Sequence, residues 1–280
     1  MASHETIPSS ICLRITRHCN AACAFCQAPP TSREELSVAD IGALSAVVGA
    51  RSVRTVKLSG GEPTVRRDLP DIIRAVVSGG PIPVVVTNGI RLDDETLDAC
   101  AAAGGEFKFS VHRPSRLNDD VLRRRSFDDV GANMGRVRDR GIRLSVNTVV
   151  TRSSVAVMDD MVDFARSAGA AKISFIPVVE RGRARSGNGP GNGQYALRLS
   201  ELAGVRDRVA RLAATHQGRP EVRLIDFRHH GYWLVENDGS LWIEFGTEEA
   251  DTQVCGPGGA LGHLRGLGKG RISGTDRRAS

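Results

Sequence analysis

Three of the chain's six cysteines, Cys19, Cys23 and Cys26, fall in a single CNAACAFC run with C-x3-C-x2-C spacing. Thiolates are soft ligands, and three so close on one loop can converge on a metal centre. Structural zinc normally takes four ligands, usually as two separated pairs. No second pair follows, since Cys12, Cys100 and Cys255 are scattered. An iron–sulfur cluster ligated only by cysteine also takes four thiolates. Three ligands leave one iron with an open position, which is what a catalytic metal keeps for a substrate or cosubstrate. A zinc site completed by His18, or three incidental neighbours, are the competing readings.

Further along, Gly60-Gly61-Glu62 places two residues without a Cβ beside a carboxylate, which lets backbone approach a ligand closely. His229 and His230 are adjacent on an expected strand, so they point to opposite faces and cannot share one ion. Asp226 and Arg228 share a face there; they could meet a polar substrate or form an ordinary ion pair.

These residues sit on strand–helix alternation. Strands are expected at 11–16, 55–59, 83–87, 107–111, 143–150 and 172–178, and helices at 38–50, 69–78, 93–103, 127–140 and 155–168. Ser37 stands three residues before Asp40, Asp93 can cap the third helix, and Gly104, Gly141 and Gly169 fall where helices should stop. Such spacing argues for βαβ units on a parallel sheet. Six units give a partial barrel, short of the eight of a closed one. A glycine-rich loop at 181–193 is followed by an expected helix at 195–215, a strand at 222–228 and a hairpin of 232–236 with 240–245 turning at Asn237-Asp238-Gly239. The organisation expected is a flexible 1–10, a barrel at 11–184, an extension at 185–255 closing the open side, and a disordered basic tail at 256–280.

Composition fits a globular chain: 280 residues, 40% hydrophobic and 25% charged, with 38 Lys+Arg against 32 Asp+Glu for a net +6. The tail holds Arg265, Lys269, Arg271, Arg277 and Arg278 against Asp276, so most of the excess charge is there. A solvated end accounts for it, and the chain is not read as a nucleic-acid binder. No apolar run is long enough for a membrane span, residues 1–10 show no secretory signal, and a cytoplasmic, thiol-reducing location is expected.

CNAACAFC after the first strand, LSGGEPTVRRDL after the second, VVTNG, FSVHR and VNTVVTR after or on the next three, and ERGRA after the sixth together resemble the radical S-adenosylmethionine (SAM) superfamily. Within it, the pattern is most similar to the molybdenum-cofactor-synthesis and peptide-maturase branch. Only Cys255 lies beyond residue 100, so the extra cluster cysteines of that branch are missing and a single cluster is expected. The resemblance implies an α/β fold, a partial (βα)6 TIM-like barrel with a helix-plus-hairpin extension. It implies one 4Fe-4S cluster on Cys19, Cys23 and Cys26, with SAM chelating the open iron. It also implies SAM contacts from Phe25, Gly60, Gly61, Glu62, Thr87, Asn88, Ser110, Asn147 and Arg152, and electrons from a reductant such as flavodoxin or ferredoxin. The activity implied is reductive SAM cleavage to a 5′-deoxyadenosyl radical that abstracts hydrogen from a small-molecule substrate. The arginines at 181, 183 and 185 favour an anionic one, of nucleoside, nucleotide or carboxylated-sugar type. Modification of a ribosomally made peptide is the alternative, and a non-catalytic iron–sulfur or zinc protein is another. Cys255, in QVCGPGG, is a candidate hydrogen-atom donor to the substrate radical, with an inert buried thiol as the competing reading; Cys100 fits the inert description.

Overall fold

The computed structural model describes residues 7–27, 34–185, 195–228 and 231–267. The barrel strands are β1 (Ser10–Thr16), β2 (Thr55–Gly60), β3 (Ile82–Thr87), β4 (Glu106–Ser110), β5 (Arg143–Val150), β6 (Lys172–Pro177) and β7 (Glu221–Leu224). After them come β8 (Tyr232–Val235), β9 (Leu241–Glu244) and β10 (Thr252–Cys255). Their order across one sheet is β10-β9-β8-β1-β2-β3-β4-β5-β6-β7. From β8 through β7 every neighbouring pair is parallel, while β9 and β10 run antiparallel to their neighbours. The sheet is not closed. The helices are α1 (Val38–Gly49), α2 (Leu69–Ser78), α3 (Asp94–Ala102), α4 (Leu117–Leu122), α5 (Phe127–Asp139), α6 (Met158–Ser167), α7 (Leu199–Thr215) and α8 (Ala260–Gly266).

The expected six strand–helix units are present, and local chemistry explains their ends. Ser37 and Asp40 form a reciprocal capping box on α1, and Asp93 caps α3 through the Thr96 N–H at 2.7 Å. Gly104, Gly141 and Gly169 take left-handed φ of 59°, 68° and 76° where helices stop.

Three expectations about organisation need correction. First, the strand expected at 222–228 is shorter and belongs to the barrel: β7 pairs with β6 in parallel after the α7 crossover, so the barrel runs past residue 184. Second, the hairpin β8–β9 docks in parallel on β1, at the opposite edge. The two edges are not joined by a ladder; they meet through an isolated bridge between Glu180 and Thr247, a Phe227–Tyr232 ring contact at 5.2 Å and ion pairs from Arg181 to Glu244 and Asp251. Third, residues 256–267 of the expected tail are folded. Ala260 and Leu264 on α8 are buried, and Arg51 donates to the Leu267 carbonyl at 3.0 Å. Burial of that apolar edge outweighs the glycine content. Ile7 is likewise buried, and the Ser9 carbonyl accepts from Arg54 N–H at 2.8 Å, so the ordered fold begins before residue 11.

The strands alternate with period two in an unusual sense. In β2 and β4 the apolar residues Val56, Leu58, Phe107 and Phe109 are fully buried against the helix layer. Lys57, Ser59, Glu106, Lys108 and Ser110 face the barrel axis instead. A closed (βα)8 barrel fills that axis with branched apolar side chains. Here it is a cavity of about 1030 Å³, into which these charged and hydroxyl side chains point.

Candidate active site at the mouth of the barrel

The C-terminal ends of β1, β2 and β3 carry the cysteine loop, the glycine pair and Thr87-Asn88 to one rim. The parallel ladder continues beyond β2: Gly61 N–H donates to the Thr16 carbonyl and Glu62 N–H to the His18 carbonyl, both at 2.8 Å. A Cβ on Gly60 would lie 2.0 Å from the Thr16 oxygen, and one on Gly61 would lie 2.1 Å from the His18 oxygen. Gly60 also has φ of 140°. The close approach that requires these glycines is therefore to the chain's own β1 end, and it seats Glu62 beside Cys19.

Glu62 is almost fully buried. Its Oε1 accepts from Thr64 N–H (3.1 Å), Thr64 Oγ1 (2.8 Å) and Thr87 Oγ1 (2.7 Å). Its Oε2 accepts from Asn88 N–H alone, at 2.6 Å, and lines the cavity. Burial raises its pKa, and these donors oppose the rise. The Asn88 side chain donates to Asn20 Oδ1 at 2.7 Å, tying the rim to the cysteine loop.

All three loop cysteines line the same cavity. Burial raises the Cys19 and Cys23 thiols, Cys23 to about 12, with the neighbouring cysteines adding to the rise. Among the described residues no three His, Cys, Asp or Glu side chains gather tightly enough for a single ion. His18 is exposed and lies with Arg66 and Asp68 in a separate surface dip, away from the thiols. The loop is held from two sides. Ala22 and Ala24 N–H groups donate to the Leu122 and Val121 carbonyls at the end of α4. Across the barrel, Arg183 donates to Cys26 O through its backbone (2.9 Å) and to Cys23 O through its side chain (3.2 Å).

Phe25, Ser110 and Asn147 line the cavity. Phe25 packs edge-on against His112 at 5.0 Å and Tyr195 at 6.0 Å. Asn147 Oδ1 is buried without a hydrogen-bond partner, so it awaits a donor. His112, assigned no role from sequence, also lines the cavity. Its Nδ1 accepts from Val149 N–H at 3.1 Å, and burial pushes its pKa down to about 3. The ring is neutral, with its proton on Nε2.

Other expectations are not met. Arg152 turns outward and pairs with Glu201 of α7 at 3.0 Å, outside the cavity. Cys255 ends the outermost strand β10 and packs beside Gly259 and the core edge, so it does not line the cavity either. Arg181 is consumed by buried ion pairs to Glu244 (3.0 Å) and Asp251. Arg183 is held by the cysteine loop, while Arg181 lines the cavity with its buried Nε making no hydrogen bond. Asp226 does pair with Arg228 (3.0 Å) and with Arg206 (2.8 Å). Cys100 is buried, its thiol pushed up to about 12. His229 and His230 lie outside the described residues, as does 268–280.

An open parallel barrel with a three-thiolate loop and a buried carboxylate at its mouth defines a class of cofactor-dependent enzyme folds. The Radical SAM superfamily model matches residues 13–165, and the chain belongs to that superfamily. A probable GTP 3′,8-cyclase of Metallosphaera sedula is 30% identical over 178 residues, 61% of this chain and 56% of that protein. A PqqA peptide cyclase of Xanthomonas campestris pv. campestris is 30% identical over 172 residues, 59% of this chain and 46% of that one. The chain thus spans about half the length of the curated relatives it matches. Streptococcus suis SuiB bound to SAM superposes with TM-score 0.69 at 16% identity, over 84% of this chain and 60% of that one. The anSMEcpe structure with bound AdoMet gives 0.66 at 13%, over 84% and 74%. At these identities the likeness shows a shared fold.

Members of the superfamily use a 4Fe-4S cluster and SAM. The residues present fit both. Cys19, Cys23 and Cys26 all line the cavity and would hold the cluster there. Glu62 Oε2 and the orphan Asn147 Oδ1 offer acceptors, and His112 a donor, beside them.

Proposed function

We propose that the chain is a radical SAM enzyme acting on a small polar substrate held inside the barrel. When bound, cluster and SAM would supply a 5′-deoxyadenosyl radical able to abstract a hydrogen atom, given an electron from a reductant such as flavodoxin or ferredoxin. Cys19, Cys23 and Cys26 would hold the cluster. Glu62, fixed by four donors, would accept from the SAM ammonium with no reorganisation. Phe25 and His112 would wall the adenosyl side and shield it from water, while Ser110 and Asn147 would meet ribose or carboxylate. The observation that carries this reading is that the three thiols and Glu62 line one cavity. The interior's charge supports a substrate with polar, anionic character.

Modification of a ribosomally made peptide is favoured by other observations: a relative named as a peptide cyclase, and a SuiB structure bound to its precursor peptide. One experiment tests both readings. Anaerobically reconstituted protein receives SAM, dithionite and either pooled small acids and nucleotides or a peptide library, and 5′-deoxyadenosine is counted. A small molecule raising it above background supports the first reading and a peptide doing so supports the second. No 5′-deoxyadenosine at all overturns both.

A further inference from the structure

We propose that the middle of the barrel is an oxyanion seat in which Lys108, flanked by Lys57 and Arg223, takes a carboxylate or phosphate group of the substrate. This deepens the reading that the substrate lies inside the barrel and rests on it.

Lys57 and Lys108 stand one inward step below the rim tier, while Arg223 on β7 is in register with Ser174 of β6. Lys108 precedes Ser110 on the same face of β4, about 6.6 Å down the strand at 3.3 Å per residue, and Lys57 stands likewise below Ser59 on β2. All three line the cavity. The surrounding charges are otherwise engaged. Glu106 accepts from Ser145 Oγ at 2.6 Å and pairs with Arg143 at 3.3 Å. Lys172 pairs with Glu221 at 3.9 Å, and the Lys57 ammonium sits over the Tyr232 ring at 5.0 Å. Lys108 has no hydrogen-bond acceptor and no carboxylate within ion-pair distance among the described residues. Burial, with Lys57, Arg223 and Lys172 nearby and only Glu106 opposing, pushes its ammonium down to about 8.

Lys108 is partly buried and opens onto the cavity, where an ammonium without a partner is less well solvated than in bulk water. Folding alone gives no reason to keep it, because a methionine would fill the same space at lower cost. A neutral ligand would leave the charge unmet, and a metal cation would be repelled. An oxyanion supplies the missing charge together with an acceptor for the Lys108 ammonium.

The test uses the full chain without SAM, so it stands apart from the radical reading. Inorganic phosphate and malonate are titrated calorimetrically at pH 7 and fixed ionic strength, with chloride as control, into wild type, Lys108→Met and Lys108→Arg. At least one ion should bind wild type, and which one identifies the group. Lys108→Met should weaken it by about tenfold or more, Lys108→Arg should retain most of it, and unliganded Lys108→Met should melt at or above wild type. If neither ion binds better than chloride, or Lys108→Met binds as wild type does, the seat is refuted. If the seat stands while no 5′-deoxyadenosine forms in the separate assay, only the radical reading fails. Should Lys108→Met not fold, the wild-type titrations and Lys108→Arg still decide.

Discussion

Replacing Glu62 by glutamine removes one charge and keeps the shape, so its effect can be worked from the donors around it. Three donors reach Oε1 and one, Asn88 N–H, reaches Oε2. A glutamine must put its NH₂ at one of these positions, and the cheaper choice faces Asn88. That leaves one buried N–H orphaned, worth about 1–3 kcal/mol, part of which is returned because no charge is buried. The melting temperature of the cluster-free chain should therefore fall by only a few degrees. SAM binding should suffer more, because Glu62→Gln loses a charge-assisted bond to an ammonium and turns a donor toward it. A bond of this type contributes about 1.5–3 kcal/mol, a factor of roughly 10–150 in Kd. The assay is anaerobic equilibrium dialysis of SAM with reconstituted protein of measured iron content. Normal iron with a Kd within threefold of wild type would refute the role given to Glu62.

Alanine at Cys19, Cys23 or Cys26 should each abolish stable cluster incorporation, read as lost iron and lost absorbance near 400 nm; normal iron in any one variant would contradict the assignment. Glu244→Ala takes one carboxylate from each of Arg14 and Arg181, leaving them Glu236 and Asp251, and should cost about 1–3 kcal/mol by denaturant unfolding; no measurable change would show the network to be idle. Leu264→Ala empties a fully buried site on α8 and should cost about 2–5 kcal/mol, whereas an unpacked tail would lose nothing. Lys108 gives a pH signature: its folded pKa, near 8, lies below that of the unfolded chain, so the unfolded state binds more protons above pH 8. Wild-type stability relative to Lys108→Met should therefore rise from pH 8 toward 10, and a flat difference would place the ammonium in water.

What could be read in advance followed from local chemistry. Periodic apolar runs, the Ser37–Asp40 box and the stop glycines act within a few residues, so the six barrel strands and five of their helices were legible. So were the cysteine loop and Glu62, because their spacing along the chain is itself the signal. The misses depend on partners far away in sequence. Whether Arg152 turns toward the cavity is decided by Glu201 on α7, nearly fifty residues on. The α8 turn is glycine-rich and becomes a helix only because Leu264 and Ala260 find α1 and the core. Gly60 and Gly61 do line the cavity, but the atoms a Cβ would meet there are Thr16 and His18 backbone, which spacing alone does not reveal. One signal was available and unused: TVKLS and EFKFS alternate charged and apolar residues, which already states that one face of each strand is buried and the other polar.

That alternation and the open seam belong together. A closed eight-stranded barrel leaves an interior just wide enough for its own side chains. Here β7 and β8 stay unpaired to each other, so the circumference is larger and room remains on the axis. Holding such a seam without a ladder requires other bonds. Arg14 on β1 takes both oxygens of Glu244 at 2.9 Å and also contacts Glu236, joining the cysteine-bearing strand to the hairpin. Arg181, just beyond β6, reaches the same Glu244 and Asp251. Each ion is buried, so each is costly unless every partner is present. The network therefore sets the distance between the two sides of the seam more sharply than apolar packing could. The thiolate loop hangs on one side through β1 and on the other through Arg183. The spacing fixed by Arg14, Glu244 and Arg181 is thus also the spacing between the cysteines and the cations of the barrel axis.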